Sequence, residues 1–162
     1  MSLDVTTDST AEYLWVMADR IRFLGGVPGS DLELIDIEVA PGSGTPPHLH
    51  ESPELFYILE GEMTVRQFEA GLPPRVVRAG AGTSVRVPSR VPHNYANESD
   101  RPARMLVMLA SSMIAFFRDI GSTERPQGAP DFAGIGAAMD RHGIKMALEP
   151  ANATEGELQD QA

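Results

Sequence analysis

The sequence predicts an all-β body followed by one or two helices. Between residues 13 and 109, short apolar or alternating runs recur about every ten residues, a spacing typical of a β-sandwich or barrel. Glycine (15 residues) and proline (13 residues) are abundant, as expected for many strands joined by turns. At 162 residues, the chain is long enough to bury one substantial core.

Nine segments are predicted to be strands, and two of them carry a finer expectation. The alternation of LELIDIEV slips at Leu34-Ile35, which predicts a β-bulge there. The run FYIL is apolar throughout, which predicts a strand buried on both faces. The predicted strands are residues 13–17, 20–24, 32–39, 56–59, 62–68, 75–78, 84–88, 93–97 and 104–109.

The C-terminal third changes to a helical spacing of apolar residues. One helix is predicted over 112–120 with Ser112 as its N-cap, and a second over 132–146, capped by Asp131 and stopping at Gly143. The predicted organisation is a flexible N-terminus (1–12), the β-body (13–120), a linker and helix packed on the β-body or on a partner subunit (121–148), and an acidic disordered tail (149–162).

Composition excludes several classes of function. The chain has no cysteine, which excludes disulfides, thiolate metal sites and a cysteine nucleophile. A net charge of −10 argues against binding to nucleic acid or to an anionic membrane surface. The longest apolar stretch, residues 105–117, is too short to span a bilayer. We therefore predict a soluble, cytoplasmic protein.

The stretch PPHLHESPE at 46–54 is the first candidate site. His48, His50 and Glu54 share one parity, so an extended backbone would place two imidazoles and a carboxylate on one face. Such a set with open positions opposite is used by non-haem metal enzymes. Taken alone, the stretch is better explained as a solvated polar turn, and it is a further histidine in the β-body, His93, that shifts the balance toward a metal site.

The residues around this stretch resemble the first motif of the cupin superfamily. From Gly42 to Gly61 the sequence reads G-x5-H-x-H-x3-E-x6-G, with His48, His50 and Glu54 at the ligand positions.

The stretch from Gly82 to Asn97 reads G-x5-P-x4-H-x3-N and resembles the second cupin motif, with His93 as the fourth ligand. Arg90 stands where that motif usually has glycine, and Thr83 where aspartate often follows Gly82.

The resemblance implies a double-stranded β-helix, or jelly-roll barrel. It also implies that His48, His50, Glu54 and His93 hold one divalent metal ion, which could be Fe, Mn, Ni, Zn or Cu. Cupins of this kind commonly form homodimers, and a homodimer is therefore expected.

More narrowly, the chain resembles the quercetin-dioxygenase-like group of single-domain cupins. This implies a dioxygenase acting on a small enol or flavonol-like substrate, with Glu54 as a metal ligand and as the catalytic base. Phe56, Ile58 and Tyr95 are candidate lining residues of the substrate pocket, although Phe56 and Ile58 equally fit the barrel core. Two alternatives remain open at this point: a non-redox isomerase, lyase or hydrolase acting on a hydroxy-acid or sugar derivative, and a non-catalytic small-molecule-binding cupin.

Overall fold

Two antiparallel β-sheets form the body of the protein in the computed structural model, which describes residues 2–147. The first sheet has six strands in the order β1-β2-β3-β10-β5-β8, and the second has five in the order β11-β4-β9-β6-β7. The strands of the first sheet are β1 (Glu12–Val16), β2 (Asp19–Gly26), β3 (Leu32–Val39), β5 (Glu54–Glu60), β8 (Ser84–Val87) and β10 (Ala103–Ala110). The strands of the second sheet are β4 (His48–Leu49), β6 (Glu62–Gln67), β7 (Arg75–Gly80), β9 (His93–Ala96) and β11 (Lys145–Met146).

The chain passes repeatedly between the two sheets from β3 to β10, which is the connectivity of a jelly roll. The predicted double-stranded β-helix is thereby confirmed, and so are two helices after it. The predicted disordered tail at 149–162 lies outside the described residues. Within residues 2–147, no helix has both the length and the apolar character that a membrane crossing requires.

The core consists of side chains that alternate toward the space between the sheets. One row crosses the first sheet through directly paired residues, all of them buried: Phe56, Val107, Ile35 and Phe23. Because side chains on a strand point alternately to opposite faces, every second residue of these strands contributes to this core.

Two finer expectations about the strands are wrong. β3 pairs with β10 without interruption from Leu32 to Val39, and the irregularity lies instead in β2, where the register shifts between Phe23 and Gly25. Leu34 simply lies half-buried on the outer face. The run 56–59 is buried on one face only, since Tyr57 is 41% exposed on the other.

Two helices follow the barrel: α1 (Ser111–Ile120) and α2 (Phe132–Arg141). The predicted cap at Ser112 is wrong, because α1 continues directly from β10 and the Ser111 N–H donates to the Asp31 carbonyl at 2.8 Å. The cap at Asp131 is confirmed, since its carboxylate accepts the Gly134 N–H at 3.0 Å. The helices pack on each other and bury apolar residues that face the barrel.

The second helix is shorter than predicted, and a strand replaces its expected end. Arg141 is its last residue, and Gly143 adopts a left-handed backbone with φ 68°. The chain then returns to the second sheet as β11, which pairs Met146 with His48. The C-terminal segment therefore holds the strand that carries the first candidate ligand.

A close approach of two backbones requires glycine beside this strand. Gly44 bridges to Ala96, and a Cβ on Gly44 would lie 2.3 Å from the Tyr95 carbonyl oxygen. The Thr45 N–H donates to the same carbonyl at 2.9 Å. This contact fixes the chain that leads through Pro46 to His48.

Candidate metal centre

The fold brings the four predicted ligands together from three segments. His48 begins β4, His50 follows it, Glu54 begins β5 and His93 begins β9. His48 and His93 are direct cross-strand partners, and ligand nitrogens of His48, His50 and His93 all lie within 4.8 Å of one another. All three histidines are buried, and the Glu54 side chain is 7% exposed.

Each imidazole is oriented by a hydrogen bond to the backbone two residues away. The Nδ1 atoms of His48, His50 and His93 lie 2.8 Å from the carbonyl oxygens of Pro46, Ser52 and Val91, respectively. A carbonyl oxygen only accepts hydrogen bonds, so each Nδ1 carries the proton and each Nε2 presents a lone pair. This outer bond is the one that fixes metal-ligating histidines in other proteins.

Two of these Nε2 atoms, those of His50 and His93, lie next to the Glu54 carboxylate. Glu54 Oε2 lies 3.0 Å from His93 Nε2, and Oε1 lies 3.5 Å from His50 Nε2, which is buried without a hydrogen bond to any residue of 2–147. Two acceptors at this distance repel each other unless a proton or a metal ion lies between them. Ligands about 2.1 Å from one ion and at right angles stand about 3.0 Å apart, so the residues present fit a divalent metal ion.

The pKa values of Glu54, His93 and His48 reflect their burial and their closeness to one another. Burial would raise the pKa of Glu54, but the neighbouring imidazoles of His50 and His93 lower it to about 2. Burial would likewise lower the pKa of His93, but the neighbouring Glu54 carboxylate raises it above the usual value. Burial and the neighbouring His93 lower the pKa of His48 to about 4. Glu54 is therefore ionised, and His48 neutral, at physiological pH.

Arg90 explains how the second motif works without its usual glycine. The Arg90 backbone adopts the left-handed region that favours glycine, with φ 62°. Its N–H donates to the His50 carbonyl at 2.9 Å, and its guanidinium Nε donates to Glu51 at 2.6 Å. These bonds hold the turn before His93 in a conformation that a non-glycine residue adopts at a cost of about 1 kcal/mol.

An apolar cavity of about 130 Å³ extends from the candidate ligands through the barrel to the helices. His48 and Glu54 stand in its wall, and none of its lining residues is lysine or arginine. The helices close it with side chains that the sequence did not link to the site: Met113, Phe116, Phe117, Ile120, Phe132, Ile135 and Met139.

The three predicted lining residues are placed differently. Phe56 and Tyr95 line the cavity, with their rings 6.0 Å apart in an edge-to-face arrangement. Ile58 does not line it and is completely buried in the core, because it lies one step further along β5 and pairs with Met105. His142, the fourth histidine, lies outside the site and bonds to Asp119 at 3.0 Å.

Asp19 also lines the cavity, and the sequence reading missed it. It falls between the predicted strands 13–17 and 20–24, yet it begins β2 and shares the parity of Ile21 and Phe23, which place it on the apolar face. That alternation was the signal that could have identified it. Asp19 is 6% exposed, and burial raises its pKa to about 6, against the lowering effect of the Ser43 hydroxyl and the Ala40 N–H.

Replacing Asp19 by asparagine is expected to stabilise the protein at pH 8 but not at pH 4. The folded state holds this proton more tightly than the unfolded chain, so Asp19 lowers the stability progressively as the pH rises from 3.8 to about 6. A rise of about two pKa units corresponds to at most about 3 kcal/mol. Urea unfolding of both proteins at the two pH values measures this, and an equal difference at both would contradict it.

A family model described as "Cupin domain" matches residues 35–109, a range that contains all four candidate ligands. Residues 35–109 are therefore similar in sequence to a cupin domain. The jelly roll, with its candidate ligands on or next to β4, β5 and β9, agrees with this similarity. No curated protein sequence matches the chain.

Solved cupin-fold structures are similar to the chain at low identity. The polyketide cyclase RemF from Streptomyces resistomycificus aligns with a TM-score of 0.59 and 21% identity over 93% of this chain and 89% of that chain. An RmlC-like cupin from Shewanella frigidimarina aligns with a TM-score of 0.56 and 20% identity over 67% and 91%. An oxalate decarboxylase from Bacillus subtilis aligns with a TM-score of 0.58 and 18% identity over 68% and 30%.

The aligned part is a minority of some relatives. The chain spans 30% of that oxalate decarboxylase and 51% of a recombinant oxalate oxidase, which has a TM-score of 0.49. At these identities the similarity shows the fold, and the function rests on the site itself.

Proposed function

We propose that this cupin is a metal-dependent dioxygenase that acts on a small, apolar enol or phenol. The observation that supports it is a cluster of three histidines and an ionised carboxylate, of which His48 and Glu54 stand in the wall of an apolar cavity. His48, His50, His93 and Glu54 would hold one divalent ion. When bound, that ion would supply Lewis acidity toward a substrate oxygen and, if it is redox-active, electrons for chemistry with dioxygen.

Glu54 is the residue proposed to receive a proton. Its carboxylate faces the same cavity as Phe56 and Tyr95, and His50 and His93 keep it ionised. A carboxylate in this place can accept the hydroxyl proton of a bound enol, which leaves the substrate oxygen with the higher electron density that oxidation requires. The apolar walls exclude water from the same space.

The cavity restricts the size and charge of the substrate. Its volume of about 130 Å³ is comparable to apolar cavities that hold one benzene ring. A compound of one or two rings is therefore favoured over a three-ring flavonol, which would require α1 or α2 to move. A dianion such as oxalate is disfavoured, because the lining residues include no lysine or arginine to neutralise it.

Oxygen consumption by protein loaded with Fe(II), Mn(II), Ni(II) or Cu(II) tests this proposal. The panel contains one-ring enols and phenols, two-ring naphthols and flavonols, and His48→Ala and His142→Ala are compared with the wild type. We expect uptake with at least one small substrate that is lost in His48→Ala and kept in His142→Ala. Absence of uptake with every metal would contradict the proposal, and turnover without dioxygen in Zn(II)-loaded protein would support the non-redox alternative instead.

A further inference from the structure

Asp19 is a buried carboxyl group that the proposed chemistry at Glu54 does not use. Its Oδ1 accepts the Ala40 N–H at 3.2 Å, and the Ser43 hydroxyl is a second polar neighbour of the carboxyl group. Asp19 is 94% buried, and it lines the cavity.

The position of Asp19 differs from that of the metal centre. Asp19 begins β2, whereas Glu54 begins β5, and β3 and β10 lie between these two strands in the first sheet. Tyr95 lines the same cavity as both carboxylates. The cavity thus has one carboxylate beside the candidate ligands and another at a separate end.

A purely structural role does not account for this carboxylate. An asparagine would accept the same Ala40 N–H without a buried negative charge, and burial of such a charge without a counter-ion is costly. No lysine or arginine lines the cavity to offset it. A charge that destabilises the fold and borders an apolar cavity is a feature that ligand-binding sites retain.

We propose that Asp19 is a second anchor for the ligand, which accepts a hydrogen bond from a hydroxyl group at the end remote from the metal centre. The ligand class is then an apolar ring compound with an enol or phenol oxygen at one end and a hydroxyl donor at the other. The metal-facing half of this description rests on the proposed function, whereas the contact with Asp19 does not.

Binding of two matched probes to metal-free protein tests this inference. The probes are 2-naphthol, which donates a hydrogen bond, and 2-methoxynaphthalene, which cannot, measured by fluorescence titration at about pH 8, where Asp19 is ionised. Wild-type protein is expected to prefer 2-naphthol by at least about tenfold, as for a hydrogen bond to a charged acceptor. Asp19→Asn keeps the acceptor for Ala40 but turns an amide NH₂ toward the cavity, so the preference should fall below about threefold.

Asp36→Asn is the matched control, because Asp36 is equally buried but lies on the outer face between Arg22 and Arg104. It should keep the preference, and thermal melts establish that each variant is folded. An unchanged preference in Asp19→Asn, or no binding of either probe to the wild type, would overturn the inference. If the preference depends on Asp19 but no metal-loaded protein consumes oxygen, the anchor stands and the proposed dioxygenase reaction fails.

Discussion

Replacing His93 by alanine is expected to weaken divalent metal binding by at least about 100-fold. His93 presents an Nε2 lone pair 3.0 Å from Glu54 and is the cross-strand partner of His48. Its loss therefore removes a ligand that lies next to two of the others. Loss of a group that merely orients a ligand already costs about 10- to 100-fold, and loss of the ligand itself should cost more. Competition titration against a chelator of known affinity measures the change.

His142→Ala is the matched control for this experiment. It removes an imidazole of the same size from a position beside Asp119, outside the barrel site, and should leave the metal affinity unchanged. The wild type should also melt at a higher temperature with metal present, since a ligand at about 100 times its Kd adds about 2.7 kcal/mol. Equal affinities in the wild type and His93→Ala would contradict the assignment.

Replacing Glu54 by glutamine is expected to lower turnover of the metal-loaded protein by about 10²- to 10⁴-fold, the range of a lost general base. The amide is the same size but carries no negative charge and accepts a proton poorly. Its NH₂ would also face Nε2 atoms of His50 and His93, so metal affinity should fall as well. Both quantities are measured, turnover by product formation and affinity by chelator competition.

Glu60→Gln serves as the control, because Glu60 lies at the other end of the same strand and its side chain is 70% exposed. It should change neither turnover nor metal affinity. If Glu54→Gln kept full activity at saturating metal, another group would have to take the proton. Loss of affinity without loss of turnover would leave Glu54 as a ligand only.

The strands were predictable because the core requires a strict alternation. In β3, Ile35, Ile37 and Val39 face inward at every second position, and β6 and β10 follow the same rule. The bulge expected at Leu34 lies in β2 instead. Its place could not be predicted from the sequence, because the pairing of β3 with β2 and β10 decides which strand takes the extra residue. Likewise, the pairing of Met146 with His48 depends on a contact between residues about 100 positions apart, which no local pattern contains.

The candidate site was likewise predictable only in part. The two-residue spacing of His48 and His50 placed both imidazoles on one side, and the motif spacing indicated Glu54 and His93. The cavity was harder to predict, since about a third of its lining residues come from helices whose apolar residues read as ordinary packing. Asp19 was missed because it falls in the gap between the predicted strands 13–17 and 20–24, where an aspartate is typical of a turn, whereas β2 begins at Asp19.

The most direct test of the metal centre is an anomalous difference map from crystals of protein loaded with one divalent metal. We expect a single peak per chain, about 2.0 to 2.2 Å from the Nε2 atoms of His48, His50 and His93 and from an oxygen of Glu54. No peak between these residues in fully folded, metal-loaded protein would contradict the assignment. A peak elsewhere, for example beside His142 and Asp119, would contradict it equally.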